Sequence, residues 1–220
     1  MDSPLADHQS TQSSTQRAYL ALRDDIIFGR IPPGERLKID TLKEALNTGA
    51  SPVREALSLL TSDQLVDRID QRGFRVAKTS REQFQEILKL RCTLEDLAVR
   101  DSLAHADAAW EDALVLSHHH MSRARQRDPE TSETCHKAFH MALLAACTSP
   151  ILLRFCAQLY DLNVRYRYLA GQSKGYARRD IDAEHQGILD AAVERDIETV
   201  SERLIAHYRS TGAFLAEQIG

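Results

Sequence analysis

Ser51-Pro-Val-Arg-Glu-Ala-Leu57 decides how the first third of the chain is read. Serine accepts hydrogen bonds from the free amides of a helix's first turn, so Ser51 is the expected cap. Pro52 suits the first helical position, where its missing N–H costs nothing. The helix so predicted places Val53, Leu57 and Leu60 on one face and Arg54, Ser58 and Thr61 largely on the other. Upstream, Asp40-Thr-Leu-Lys43-Glu-Ala-Leu46 is a shorter amphipathic segment, and Asn47-Thr-Gly-Ala50 is a turn between the two. Two short helices joined in this way form a helix-turn-helix, whose second helix usually enters the DNA major groove. Downstream, Leu65 and Val66 open an apolar strand, Gln71-Arg72-Gly73 turns, and Phe74-Arg75-Val76 returns. This hairpin carries Arg68, Arg72 and Arg75, a basic wing for phosphates or a minor groove. A preceding helix over Tyr19–Phe28 is stopped by Pro32-Pro33-Gly34. The whole is a winged helix-turn-helix over residues 15–78, with DNA contacts expected from Lys43, Ser51, Arg54, Arg68, Arg72, Gly73 and Arg75.

The 220 residues suffice for two small domains, and the formal net charge of −4 excludes a uniformly basic nucleic-acid coat. Residues 15–80 carry 11 Lys+Arg against 9 Asp+Glu, so the acidity lies elsewhere. Residues 1–14 are rich in Ser, Thr and Gln and read as a flexible arm. No apolar run reaches membrane-spanning length and no secretory pattern opens the chain, so a cytoplasmic protein without membrane contact is expected. Cys92, Cys135, Cys147 and Cys156 form no C-x-x-C pair and sit in apolar helical stretches, as free thiols of a reducing compartment would.

From about residue 79 the pattern becomes wholly helical. Apolar residues recur at three and four, predicting helices near 81–104, 107–127, 130–147, 150–170, 178–194 and 197–217. Asp107, Asp128-Pro129, Ser149-Pro150, Gly171 to Gly175 and Asp196 mark the breaks. The fold class is therefore mainly α: the winged helix followed by an antiparallel bundle of about six helices over 79–220.

Nine histidines raise a metal question. His136 and His140 stand four apart on one helix face, a chelating geometry that ordinary packed histidines also adopt. His185 and His207 lie on two further helices that could converge with the first; each taken alone reads better as a capped or solvent-facing helix histidine. His118, His119 and His120 are consecutive and point in different directions, so they are expected at the surface. Cys135 points about 100° away from His136 and is not expected to ligate.

Pro33-Gly34-Glu35-Arg36-Leu37, Pro52-Val-Arg-Glu-Ala-Leu57 and Arg72-Gly73-Phe74-Arg75-Val76 together resemble the GntR family of bacterial transcription regulators. Many members place a base-reading arginine two residues before the proline. Ala50 stands there in this chain, which implies a different operator sequence. Leu90-Arg91-Cys-Thr-Leu94-Glu95, Ala138-Phe139-His140, Glu184-His185 and His207 resemble the ligand-sensing C-terminal (FCD) domain of the FadR branch. In metal-binding members an aspartate and three histidines hold a divalent ion. His136 takes the aspartate's place here, so the resemblance implies the set His136, His140, His185 and His207. His136-Lys-Ala-Phe-His140 followed by Arg165-Tyr-Arg167 is also similar to a subset of carbon-starvation regulators.

All-imidazole coordination suits zinc, with nickel and copper chemically possible, and disfavours magnesium or calcium. An effector carboxylate could bind such an ion. Arg91 is the expected charge-assisted clamp, with Asn163, Arg165, Tyr166 and Arg167 as a second polar group. The other reading of Arg91 is an ion pair with Glu95 one turn on. The function implied is a homodimeric, ligand-controlled regulator, a repressor, reading a palindromic operator and answering a small organic acid, a dicarboxylate if both cationic groups engage. The alternatives are a metal-dependent hydrolytic enzyme, whose only evident general base is Glu184, and a regulator with a purely structural metal.

Overall fold

The computed structural model describes residues 12–169 and 180–218, and the chain divides into two compact units at Lys78/Thr79. Residues 1–11 of the arm expected over 1–14 and the expected break at Gly171 to Gly175 lie outside the described residues.

The first unit contains α1 (Ser14–Ile27), β1 (Arg36–Leu37), α2 (Ile39–Ala45), α3 (Ala50–Ser62), β2 (Val66–Ile69) and β3 (Gly73–Val76). The Ser13 hydroxyl accepts from the Gln16 amide, so α1 starts well before Tyr19 and takes in the end of the expected arm. Its Ala18, Leu22 and Ile26 are buried, as are Val53, Leu57 and Leu60 of α3, against which α1 packs. The cap of α3 is not Ser51. Gly49, in extended conformation, accepts the first intrahelical bond from the Val53 amide, and no side chain caps the end. Ser51 is the exposed second residue of the helix. Pro52 still falls in the first turn, where its amide would have lacked a partner in any case.

The sheet has three strands in the order β1-β3-β2, all antiparallel. Two-residue β1 was not legible as a strand, being too short to alternate. It is set by Gly34, whose φ of +80° turns the chain so that its amide bonds the Val76 carbonyl at 2.9 Å. Gly73, at φ +88°, closes the expected hairpin turn.

The second unit holds α4 (Arg81–His105), α5 (Ala108–Ala124), α6 (Pro129–Leu143), α7 (Pro150–Leu169), α8 (Ile181–Val193) and α9 (Ile197–Gln218). Ser80, Asp107, Asp128, Asp180 and Asp196 each accept an amide of the following first turn. Helix α6 stops short of residue 147 in a turn, leaving Cys147 in a loop rather than a helix. Helix α4 packs on α7 and α9, α5 on α6 and α8, and α8 on α9. Cys92, Cys147 and Cys156 are buried free thiols, and Cys135 is half-buried. Gly212 lets α9 approach α4 closely: a Cβ there would stand 2.2 Å from Leu88 Cδ2. Among the described residues no helix is long and apolar enough to cross a membrane.

Candidate metal centre and DNA-binding face

Each histidine of the cluster is brought in by a buried helix face. On α6, His136 and His140 lie one turn apart beside buried Phe139 and Leu143; α8 supplies His185 beside Ile188 and Leu189; α9 supplies His207 between Leu204 and Tyr208. The four offer ligand atoms that all lie within 4.8 Å of one another. His136 Nε2 is 3.2 Å from both His140 Nε2 and His185 Nε2. Donors tetrahedrally placed about an ion with bonds of ~2.05 Å stand ~3.3 Å apart, so these spacings fit one transition metal. Burial also favours neutral imidazoles, the form that ligates. It holds His136 and His140 well below the usual range and His185 at about 2, with neighbouring histidines adding to the effect.

Around the imidazoles runs a set of partners that sequence reasoning missed. His136 Nδ1 meets the Tyr160 hydroxyl at 2.5 Å, and that hydroxyl donates to Glu133 at 2.6 Å. His140 Nδ1 meets the Tyr208 hydroxyl at 2.9 Å, and that hydroxyl donates to Glu95. His207 Nδ1 bonds Glu184 at 2.7 Å. The signal was present as spacing: Glu133, His136 and His140 share a face of α6, as Tyr160, Asn163 and Arg167 share one of α7.

Arg91 does pair with Glu95, through Nε at 2.6 Å, but the pair is buried rather than exposed. Its Nη1 donates to Asn163 Oδ1 at 3.0 Å, and its guanidinium lies over the Tyr208 and Tyr160 rings at 3.9 and 4.7 Å. Burial disfavours this charge, and Glu95 with the two tyrosines more than offsets it, holding the guanidinium above its ordinary range. Arg91 Nη2 is buried with no partner among the described residues. A narrow cavity, with room for little more than a water, is lined by Arg91, Asn163, Arg167, His136, His207 and Tyr208. Arg167 reaches it while bonding both oxygens of Glu133 at 2.6 and 2.5 Å. Arg165 is buried on α7 but does not line this cavity, and Tyr166 donates instead to Gln83 at 2.8 Å. His119 and His120 are exposed, whereas His118 is half-buried edge-on to Phe139.

In the first unit, Arg54 and Ser58 of α3 and Arg68, Gln71 and Gly73 of the hairpin line one open groove. Arg54, Arg68 and Arg72 are exposed, and Ser51 lies at the exposed start of α3. Arg75 is half-buried in the sheet opposite Arg36 and Asp67, and Lys43 is tied to Asp40 at 3.0 Å on α2.

A winged helix-turn-helix followed by an all-helical bundle with an internal histidine cluster defines a two-domain DNA-binding transcription regulator. The chain belongs to the GntR family: residues 14–76 match the "Bacterial regulatory proteins, gntR family" and residues 86–210 match the FCD domain. It is 36% identical to the uncharacterized HTH-type transcriptional regulator BphR of Paraburkholderia xenovorans (strain LB400), over 94% of this chain and 86% of that protein. It is 31% identical to the HTH-type transcriptional repressor GlaR of Escherichia coli (strain K12), over 86% and 90% of the two chains. The fold is that of E. coli McbR/YncC, with a TM-score of 0.82 at 23% identity over 94% of this chain and 99% of the other.

Proposed function

We propose that this regulator is a homodimeric, cytoplasmic repressor whose hold on a palindromic operator is controlled by a small carboxylate bound beside a transition metal at His136, His140, His185 and His207. The observation that carries this reading is the convergence of four imidazoles from three helices, three buried and one half-buried, next to a cationic, partner-seeking arginine. Zinc is the expected ion, with nickel the next candidate. When bound, the ion supplies a positive centre for a carboxylate. The protein's own part is to hold the imidazoles neutral, keep bulk water out, and offer Arg91 Nη2, Asn163 and Arg167 as the remaining polar contacts. A dicarboxylate would engage both arginines, but the cavity in this form is nearly filled by them, so effector entry requires the α4 and α7 side chains to part.

The repressor reading is supported by GlaR, a transcriptional repressor in name. The dimer follows from two-fold operator reading. On the DNA, Arg54 and Ser51 are assigned to α3 in the major groove, with Arg68, Arg72 and Gly73 on the wing. Arg75 and Lys43 are restricted by their packing and act at most on phosphates. The enzyme alternative is disfavoured because Glu184, its candidate base, is engaged by His207.

Elemental analysis of the parent and His140→Ala proteins tests the metal, and anisotropy titration of an operator duplex tests the regulator. The expected result is about one zinc per chain, lost in His140→Ala, with basal operator binding retained. A screen of organic acids by thermal shift should show metal-dependent stabilisation by the effector. Equal metal in both proteins overturns the site; turnover of the acid would restore the enzyme reading; metal without any acid response would make the ion structural.

A further inference from the structure

The donors and acceptors around the cluster leave little freedom. A carboxylate only accepts, and a tyrosine hydroxyl has one proton. Glu133 takes the Tyr160 proton, so the Tyr160 oxygen must accept from His136 Nδ1–H. Glu95 takes the Tyr208 proton, so the Tyr208 oxygen must accept from His140 Nδ1–H. Glu184 accepts directly from His207 Nδ1–H. Three imidazoles are thereby left with a bare lone pair on Nε2, and two of these, on His136 and His140, face each other across 3.2 Å. Such an arrangement is unfavourable until a cation stands between the lone pairs.

We infer that Tyr160 and Tyr208 are positioning residues for the ion, each relaying the charge of a glutamate, half-buried Glu133 or buried Glu95, to the Nδ1–H of a histidine and so fixing His136 and His140 with Nε2 turned to the metal. The inference rests on the metal reading of the cluster but concerns residues outside it. The relays are also tied to the cavity. Glu95 holds Arg91 with its other oxygen, and Glu133 holds Arg167, so each glutamate accepts from one arginine and one relaying tyrosine. Partners of this kind orient a ligating imidazole and raise its basicity; their loss typically weakens metal binding about 10–100-fold.

The test has two arms. Nitrogen-15 spectra of the metal-free full chain at pH 7.5 report which ring nitrogen carries the proton. The proposal requires Nδ1–H on His136, His140 and His207, and an Nε2–H form at His136 or His140 overturns it. Zinc(II) titration by competition with a chelating dye then compares parent, Tyr160→Phe and Tyr208→Phe. Each phenylalanine keeps the ring, including the face on which Arg91 lies, and removes only the hydroxyl. Each variant should bind zinc about 10–100-fold more weakly and lose the hydrogen-bonded Nδ1–H signal of its own histidine alone. Unchanged affinity with unchanged signals refutes the relay while leaving the metal site standing. The expected tautomers in a parent that takes up no zinc refute the metal site while leaving the relay standing. The spectra of the parent decide the tautomers even if a variant fails to fold.

Discussion

Glu95→Ala should be the most damaging single change in the bundle. Glu95 is fully buried and Arg91 is 4% exposed, with 2.6 Å between Nε and Oε1. At ~3 Å and an effective dielectric of ~20, the Coulomb attraction is about 5 kcal/mol. Removing the carboxylate also strips the Tyr208 hydroxyl of its acceptor, a further ~1–3 kcal/mol, against which the desolvation of the carboxylate is recovered. The net loss expected is about 3–5 kcal/mol, the usual result of leaving one buried charge unpaired. For a unit whose urea dependence is ~2 kcal/mol per M, the midpoint should fall by roughly 2 M. Trp110 is the chain's only tryptophan and is buried in α5, so its fluorescence in the presence of a chelator follows the bundle alone. Arg91→Met combined with Glu95→Leu should recover more than half of the loss, because neither charge is then stranded. A loss below about 1 kcal/mol, or a double variant whose loss equals the sum of the singles, would refute a dry, coupled pair.

Arg54→Ala should weaken operator binding by about 1–3 kcal/mol and relax specificity, whereas Arg72→Ala should weaken all sequences evenly and flatten the salt dependence; gel-shift titrations at two salt concentrations separate them. In metal-free protein, burial keeps His136, His140 and His185 from taking protons that the unfolded chain binds near pH 6.5. The native state then binds fewer protons below that pH, so stability is full above pH 6.5 and falls as pH drops, by up to about 1.4 kcal/mol per pH unit per imidazole. Urea midpoints at pH 7.5 and 5.5 should show this, with a shallower fall in His140→Gln. Gly212→Ala gains about 1 kcal/mol of helix propensity but drives a methyl group into Leu88, a cost of about 1–3 kcal/mol. A net loss of stability is expected, and a raised thermal midpoint would show that Leu88 swings aside freely.

The winged helix was legible because its signals are local: turn residues, a proline, and helix periodicity within a few positions. The bundle helices were legible for the same reason, by Asp and Ser caps. What escaped was set by distance in the chain. Gly49 rather than Ser51 caps α3 because the turn before it delivers the glycine carbonyl to Val53, which composition does not reveal. The histidines were found by spacing and resemblance. The tyrosines were not, because Tyr160 meets His136 from 24 residues away and Tyr208 meets His140 from 68. The Arg91–Glu95 pair was legible from its one-turn spacing, whereas its burial, and the one guanidinium nitrogen left without a partner among the described residues, were not.

Helix α4 runs for 25 residues, a rod of roughly 37 Å. Arg91 meets Asn163 of α7 near its middle, while Gln83 and Phe84 meet Tyr166 of the same helix near its start. Only Thr79 and Ser80 separate that start from Lys78, the last residue of the DNA-binding unit. Arg81 lies ~15 Å along the rod from Arg91, so a tilt of ~5° pivoting at the cavity carries the head of the helix ~1.3 Å sideways. The helix that lines the cavity would act as a lever under such a tilt, its shorter arm ending two residues from the winged-helix unit.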